Sequence, residues 1–234
     1  MGKTKIEWAD ATINPLSGCT PISTGCTRCY ARALIQRYKG RPGWPESPDD
    51  VTYFPERLSI PYSWKMHKRI FLCSMSDMFH ADVTEEQIDA ILKMVKDLGR
   101  HTFMVLTKRD ERLCSYGSIG KLNLRNLWLG VTTENQKYVD QRIPNLLAFE
   151  HWAPRFISAE PLLGEIDITA YPGLKWVVCG AETGAMARPM NTDWARSLRD
   201  QCLEMGIPFF LKKLSDGSRE LDGQLWEKYP NVNY

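Results

Sequence analysis

Short apolar runs, most of them ending in polar residues, alternate along this chain with longer stretches whose apolar positions recur at helical spacing. Arg69 to Ser74 reads as a buried strand. Thr84 to Leu98 follows it, with Ile88, Ile91, Leu92, Val95 and Leu98 on one helical face behind a cap-like Thr84 and Gln87. The alternation continues with strands over Thr102 to Thr107, Leu127 to Thr132, Arg155 to Ala159, Lys175 to Cys179 and Pro208 to Lys212. Between them lie a short helix from Asp110 to Tyr116 and longer ones over Gln136 to Leu147 and Thr192 to Met205. Continuous apolar strands separated by helices predict a parallel sheet covered on both faces and joined by right-handed crossovers. A further strand around Ala11 to Leu16 brings the count to six or seven, so the expected fold is α/β, a partial (β/α)6-type parallel barrel in a single domain over residues 1–234. An open doubly wound sheet is disfavoured, because no Gly-x-Gly-x-x-Gly follows a strand. Arg41 to Pro61, with five prolines, is the one long irregular insertion and is expected to act as a lid or a substrate loop.

Composition narrows the class. At 234 residues, 43% apolar and 25% charged, the chain is long enough to bury a full core. No apolar run approaches the ~18 residues of a membrane span, and Met1 to Ala11 is mixed polar and charged rather than a targeting peptide. An odd total of seven cysteines without a signal peptide fits a reducing compartment, so a soluble cytoplasmic protein with no membrane partner is expected. Net charge is only +2, which neither demands nor excludes nucleic acid and leaves oligomeric state open. The basic groups Lys65, Lys68 and Arg69, then Lys108, Arg109 and Arg112, then Lys212 and Lys213 are each either solvated faces or phosphate contacts.

Candidate chemistry centres on Cys19, Cys26 and Cys29, a C-x6-C-x2-C group in the loop from Gly18 to Ala31. Three thiols in a Gly- and Thr-rich loop are poorly explained by core packing or by a disulfide in a reducing compartment. Three thiolates hold a metal and leave one position open. In a four-iron cluster that open position falls on an iron free to bind a small molecule. A closed zinc site needs a fourth ligand, for which a distant His80 is the candidate. Cys29 precedes a helix-forming stretch, Tyr30 to Tyr38, whose dipole favours thiolates.

Chemistry in parallel α/β barrels gathers at the C-terminal strand edges. Here those edges carry Ser74 and Asp77, Thr107 to Arg109, Thr132 and Glu134, Ser158 and Glu160, Glu182, and Lys212 with Lys213. Solvent exposure or helix capping accounts for any one of them. As a set, Glu134, Glu160 and Glu182 can converge on one cavity. A ligand bearing an ammonium group, ribose hydroxyls and a sulfonium, as S-adenosylmethionine does, would suit Ser74, Asp77, Thr132, Glu134, Glu160 and Glu182. Arg109 and Lys212 are the cations placed to act on a substrate, and with Lys108 and Lys213 they favour a nucleotide, a nucleic-acid base or a modified-base precursor. Trp8, Trp44, Tyr53, Phe54 and Trp64 either stack a base or simply pack.

Several runs carry a family resemblance. Lys5-Ile6-Glu7-Trp8 with Thr12 to Pro15, the cysteine loop ending in Cys29-Tyr30-Ala31, Phe71 to Phe79 and Val105 to Arg109 belong to it. So do Leu129 to Thr132, Ser158 to Leu162 and Leu221-Asp222-Gly223. Together they resemble the phage-associated three-cysteine-motif family of uncharacterised proteins, which in turn resembles the radical S-adenosylmethionine enzymes. The resemblance implies that Cys19, Cys26 and Cys29 hold a [4Fe-4S] cluster whose open iron binds the methionine part of S-adenosylmethionine. It also implies an electron donor of flavodoxin or ferredoxin type and a radical hydrogen abstraction in the barrel mouth. The chain departs from the superfamily pattern in three places. Its first cysteine gap is six rather than three, Arg28 stands where an aromatic residue usually precedes the third cysteine, and Ser74-Met75-Ser76-Asp77 replaces a glycine-rich strand end. Two other classes remain open: a zinc-stabilised nucleic-acid-binding protein, and a hydrolase using Glu134, Glu160 or Glu182 as acid and base.

Overall fold

The computed structural model describes residue 4, residues 6–184 and residues 186–231, so Lys5 of the N-terminal run lies outside the described residues. In chain order the elements begin with β1 (Ala11–Ile13), β2 (Leu16–Ser17), α1 (Tyr30–Tyr38), β3 (Thr52–Tyr53) and β4 (Arg69–Leu72). They continue with α2 (Glu85–Asp97), β5 (Thr102–Thr107), α3 (Asp110–Ser118), β6 (Leu127–Thr132), α4 (Gln136–Leu147) and β7 (Arg155–Ala159). The chain ends with β8 (Trp176–Gly180), α5 (Thr192–Glu204), β9 (Phe209–Lys213), β10 (Glu220–Leu221) and β11 (Gln224–Leu225). Local chemistry sets several of these ends. Thr84 and Gln87 form a reciprocal capping box at α2, and Glu85 and Glu86 occupy its first turn.

Seven strands form one all-parallel sheet in the order β1-β4-β5-β6-β7-β8-β9, so each neighbour in space is the next sheet strand in sequence. The sheet curls into a half-barrel. Its two end strands do not pair with each other among the described residues. Residues 226–228 run antiparallel along β9, with Leu211 N donating to Trp226 O at 2.7 Å and Lys228 N to Phe209 O at 3.1 Å, which covers that edge.

Alternation along the strands divides the core in two. Ile70, Leu72, Phe103, Val105, Leu129, Val131, Val177 and Leu211 join the large cluster under the helices. The opposite face carries Phe71, Met104, Trp128, Phe156, Trp176 and Phe210, which with Trp8 form an aromatic floor inside the curl. Trp8 packs 4.6 Å from Phe71 and 6.0 Å from Trp176, centroid to centroid. Gly130 permits this floor, because a Cβ there would lie 2.5 Å from the Phe156 ring.

The N-terminal strand expected to run to Leu16 stops at Ile13, and Leu16 and Ser17 instead pair antiparallel with Tyr53 and Thr52. The proline-rich insertion is therefore not irregular throughout. It contributes β3 and a 3-10 helix, Pro55–Ser63, and packs behind the cysteine loop. Of the aromatic residues proposed to stack a base, Trp8 is buried in the floor, Trp44 packs on Tyr38 at 4.9 Å, and Phe54 lies beneath the Arg57 guanidinium at 3.8 Å. Tyr53 and Trp64 pack against the large cluster. Among the described residues, no helix is long and apolar enough to cross a membrane.

Candidate metal centre and strand-tip site

The cysteine loop leaves β2 through Gly18, whose φ of 94° lies in the left-handed region and where a Cβ would lie 2.0 Å from the Asp50 carbonyl oxygen. Gly18 N donates to Met75 O at 3.0 Å and Ser76 Oγ donates to Gly18 O at 2.6 Å, which fastens the loop to the end of β4. Further along, Arg109 beyond β5 donates to Thr20 O at 3.1 Å, and Ser23 Oγ donates to Glu134 beyond β6 at 2.6 Å. Arg188 donates to Thr24 O at 2.9 Å, and Arg28 pairs with Glu182 beyond β8 at 3.7 Å. From behind, Cys19 N donates to Pro48 O at 2.9 Å, and Arg32 donates both to Cys19 O at 2.7 Å and to Asp49 at 2.6 Å. The loop thus lies across the C-terminal edges of β4, β5, β6 and β8, with the proline-rich insertion as its buttress.

Its three cysteines are half-buried, whereas Cys73, Cys179 and Cys202 are buried in the core. Burial pushes the Cys19 thiol up to about 11, with Arg109 opposing and Asp77 adding to the rise. At Cys26 burial also raises the value, but the Lys108 ammonium and the Ser23 hydroxyl outweigh it and the net shift is downward. Cys29 is the residue before the first turn of α1 and makes no side-chain capping bond. Among the described residues, no three His, Cys, Asp or Glu side chains converge closely enough to hold a metal ion. Cys19 Sγ faces Arg109 at 3.5 Å while Cys26 Sγ faces Ser23 at 3.5 Å. The donor chemistry nevertheless fits a soft metal with an open position. Three accessible thiols share one loop, and Lys108 and Arg109 stand beside it to offset thiolate charge.

His80 lies next to this loop. Its Nε2 is 2.7 Å from Thr20 Oγ1, one residue from Cys19, and its Nδ1 accepts from Asp82 N at 3.1 Å. Both ring nitrogens are therefore engaged.

The strand-tip carboxylates are all neutralised within the chain. Asp77, which is 5% exposed, accepts from Thr107 Oγ1 at 2.7 Å, Lys108 N at 3.1 Å, Arg109 at 3.1 Å and Phe79 N at 2.9 Å. It clamps the ends of β4 and β5 together. Glu134 is fully buried between Ser23, Lys108 at 3.7 Å and Arg142 at 3.3 Å. Glu160 pairs with Lys212, whose ammonium is held charged by Glu160 and Glu7 against the opposing effect of burial. Glu182 pairs with Arg188, whose hydrogen bonds hold its carboxyl below the usual range against the opposing effect of burial. Ser74 Oγ donates to Asn14 Oδ1 at 3.0 Å, and Thr132 is buried at the end of β6, where its carbonyl accepts from Arg142 at 2.7 Å. The tips of β4, β5, β6 and β8 thus gather around the cysteine loop, and Glu160 with Lys212 lies inside the curl above the aromatic floor. In the same interior Ser158 Oγ, Trp8 Nε1 and Glu7 Oε2 are buried without a hydrogen-bond partner among the described residues.

Arg142 and Arg188 were not singled out in the sequence, although Arg142 carries a signal. It sits on the buried face of α4 with Tyr138, Val139, Ile143 and Leu146, where a cation requires carboxylate partners. Arg188 carries no such signal.

A protein family described as "Protein of unknown function (DUF5131)" matches residues 3–230. No curated protein matches the sequence. Among solved structures, a mutant of spore photoproduct lyase superimposes over 92% of this chain and 79% of its own, with a TM-score of 0.51 at 10% identity. At that identity the likeness is one of fold, and it agrees with the curled half-barrel seen here.

Proposed function

This chain belongs to the DUF5131 family, and on that footing we propose that it is an iron–sulfur enzyme that reductively cleaves S-adenosylmethionine to start radical chemistry on a small or nucleotide-like substrate. One observation carries the reading: Cys19, Cys26 and Cys29 sit on a loop laid across the ends of four parallel strands, half-buried and flanked by cations. In parallel α/β folds this is the edge at which ligands and chemistry collect. The likeness of fold to a spore photoproduct lyase supports the same architecture.

Cys19, Cys26 and Cys29 would hold a [4Fe-4S] cluster, leaving one iron open to the methionine part of S-adenosylmethionine. Such a cluster supplies the single electron that breaks a sulfonium carbon–sulfur bond. The chain's own residues do the rest. Against burial, Lys108 lowers the Cys26 thiol, and Arg109 opposes the rise that burial imposes on Cys19. Glu160 and Glu182, each already paired with a cation, and Ser74 would share their remaining acceptor positions with the ligand's hydroxyls, while Asp77, Glu134 and the buried Thr132 fix the strand tips that carry them. The buried aromatic floor of Trp8, Phe71, Phe156 and Trp176 would keep water from that side of the interior. Lys212, paired with Glu160, and Arg109 would orient an anionic or polar substrate group.

A second reading is a Cys3His zinc site with His80, which lies beside the loop, as fourth ligand; it requires His80 Nε2 to exchange its 2.7 Å contact with Thr20 Oγ1 for the metal. Metal analysis separates the two. Protein reconstituted anaerobically with iron and sulfide is expected to retain about four of each per chain, as the cluster requires. Retention of one zinc and no sulfide would establish the zinc reading instead.

A further inference from the structure

On the helix side of the cysteine loop, the first turns of α3 and α4 line an open cleft of about 420 Å³. Its walls bring together five cations, Lys108, Arg109, Arg112, Lys137 and Arg142, against two carboxylates, Asp110 and Glu111. Three of the cations are compensated from behind: Lys108 and Arg142 by Glu134, and Arg109 by Asp77. Asp110 is engaged within the wall, accepting from Asn145 at 2.6 Å and Gln141 at 3.4 Å and lying 3.9 Å from Arg142 Nε.

Arg112 and Lys137 are different. Neither has a carboxylate partner among the described residues. Arg112 donates to the carbonyls of His80 and Val83, and the exposed Lys137 ammonium stands 5.5 Å from the Tyr138 ring centroid. Arg142, only 1% exposed, has its Nε at the cleft wall 3.9 Å from Asp110 Oδ1, with no hydrogen-bond partner among the described residues. Both helices also begin there without a side-chain cap, so their first-turn amides add to the positive field. Ile22 of the cysteine loop, 45% exposed, and Tyr138 give the cleft an apolar side.

We propose that this cleft binds a nucleotide through its phosphate, either as a free mononucleotide or as one unit of a single strand. Arg112 and Lys137 would pair with the phosphate oxygens, and Ile22 and Tyr138 would face the sugar and base. The volume is that of a small-ligand pocket. Uncompensated cations flanking an apolar wall suit an anion with an organic body better than a bare anion. The proposal names the substrate class of the reading above and rests on it only for what the nucleotide is there to do.

The test is equilibrium binding to the full chain, before and after iron reconstitution, with adenosine monophosphate, a labelled single-stranded oligonucleotide and inorganic phosphate as probes. Saturable binding of either nucleotide probe is expected, and Lys137→Glu, a change on an exposed side chain, should weaken it about tenfold, the size of one charged hydrogen bond lost. For the oligonucleotide, Lys137→Gln should also make the salt dependence of log K shallower by about 0.7. Binding of the mononucleotide assigns the ligand to the free pool, and binding of the strand alone assigns it to nucleic acid. Absence of binding to both, undiminished binding in Lys137→Glu, or inorganic phosphate binding as tightly as the mononucleotide would overturn the proposal. Iron retained without nucleotide binding would sink this inference alone, and nucleotide binding without iron would sink only the cluster.

Discussion

Arg109 and Asp77 show how much of the strand-tip geometry depends on a single pair. Asp77 has four donors around it, and Arg109 divides its own between Asp77, Cys19 and Thr20. Removing one member leaves the other charged in a site where both side chains are largely buried, at 13% and 8% exposure. Asp77→Ala should therefore lower unfolding stability by about 3–5 kcal/mol in a denaturant titration, the range for a broken buried pair. A loss below about 1 kcal/mol would show the pair to be solvated. The cysteines make a separate prediction. Single Ala changes at Cys19, Cys26 or Cys29 should each abolish stable iron incorporation, whereas Cys114→Ala, on a partly exposed helix position, should leave iron content unchanged. The three cysteines were legible because their spacing is local. Their surroundings were not, because Ser23 meets Glu134 across 111 residues and Arg188 meets Thr24 across 164. No window of sequence reports such pairs.

At the scale of elements, strands β5, β6 and β7 and helix α4 fall where the apolar pattern puts them, since a strand buried on both faces reads as an unbroken apolar run. The two-residue strands β2 and β3 have no such pattern, and their pairing is set by the proline-rich insertion packing behind the cysteine loop. Close packing between elements makes a further test. Gly130→Ala should destabilise by about 1–3 kcal/mol because the Phe156 ring is held in the aromatic floor. Gly99→Ala, with nothing within 4 Å of the new methyl, should not destabilise. The loop after β8 adds a pH dependence. Arg188 depresses the folded-state value of Glu182, so this pair stabilises the protein above the ordinary carboxylate range and ceases to as pH falls through the depressed value. The melting temperature of Glu182→Gln should lie below that of the parent at neutral pH, and the gap should close on acidification. A gap independent of pH would remove the ion pair as its cause.

Across the whole molecule, seven parallel strands curl around an aromatic floor, and the opposite end is spanned by a cysteine loop tied to four strand tips. The half-barrel followed from strand–helix alternation without a glycine-rich phosphate loop. The aromatic floor did not, because Trp8 from one end of the chain and Tyr229 from the other both pack on Trp176. A buried aromatic floor beneath a half-buried thiol loop suits a radical reaction, which needs water kept from the reacting centre. The most direct test is 5′-deoxyadenosine released by anaerobically reconstituted, reduced protein incubated with S-adenosylmethionine. Release by the wild-type chain, and none from a variant with Cys19, Cys26 and Cys29 all changed to Ala, is the predicted result. Iron-loaded, reduced wild-type protein that binds S-adenosylmethionine yet yields no deoxyadenosine would contradict the account.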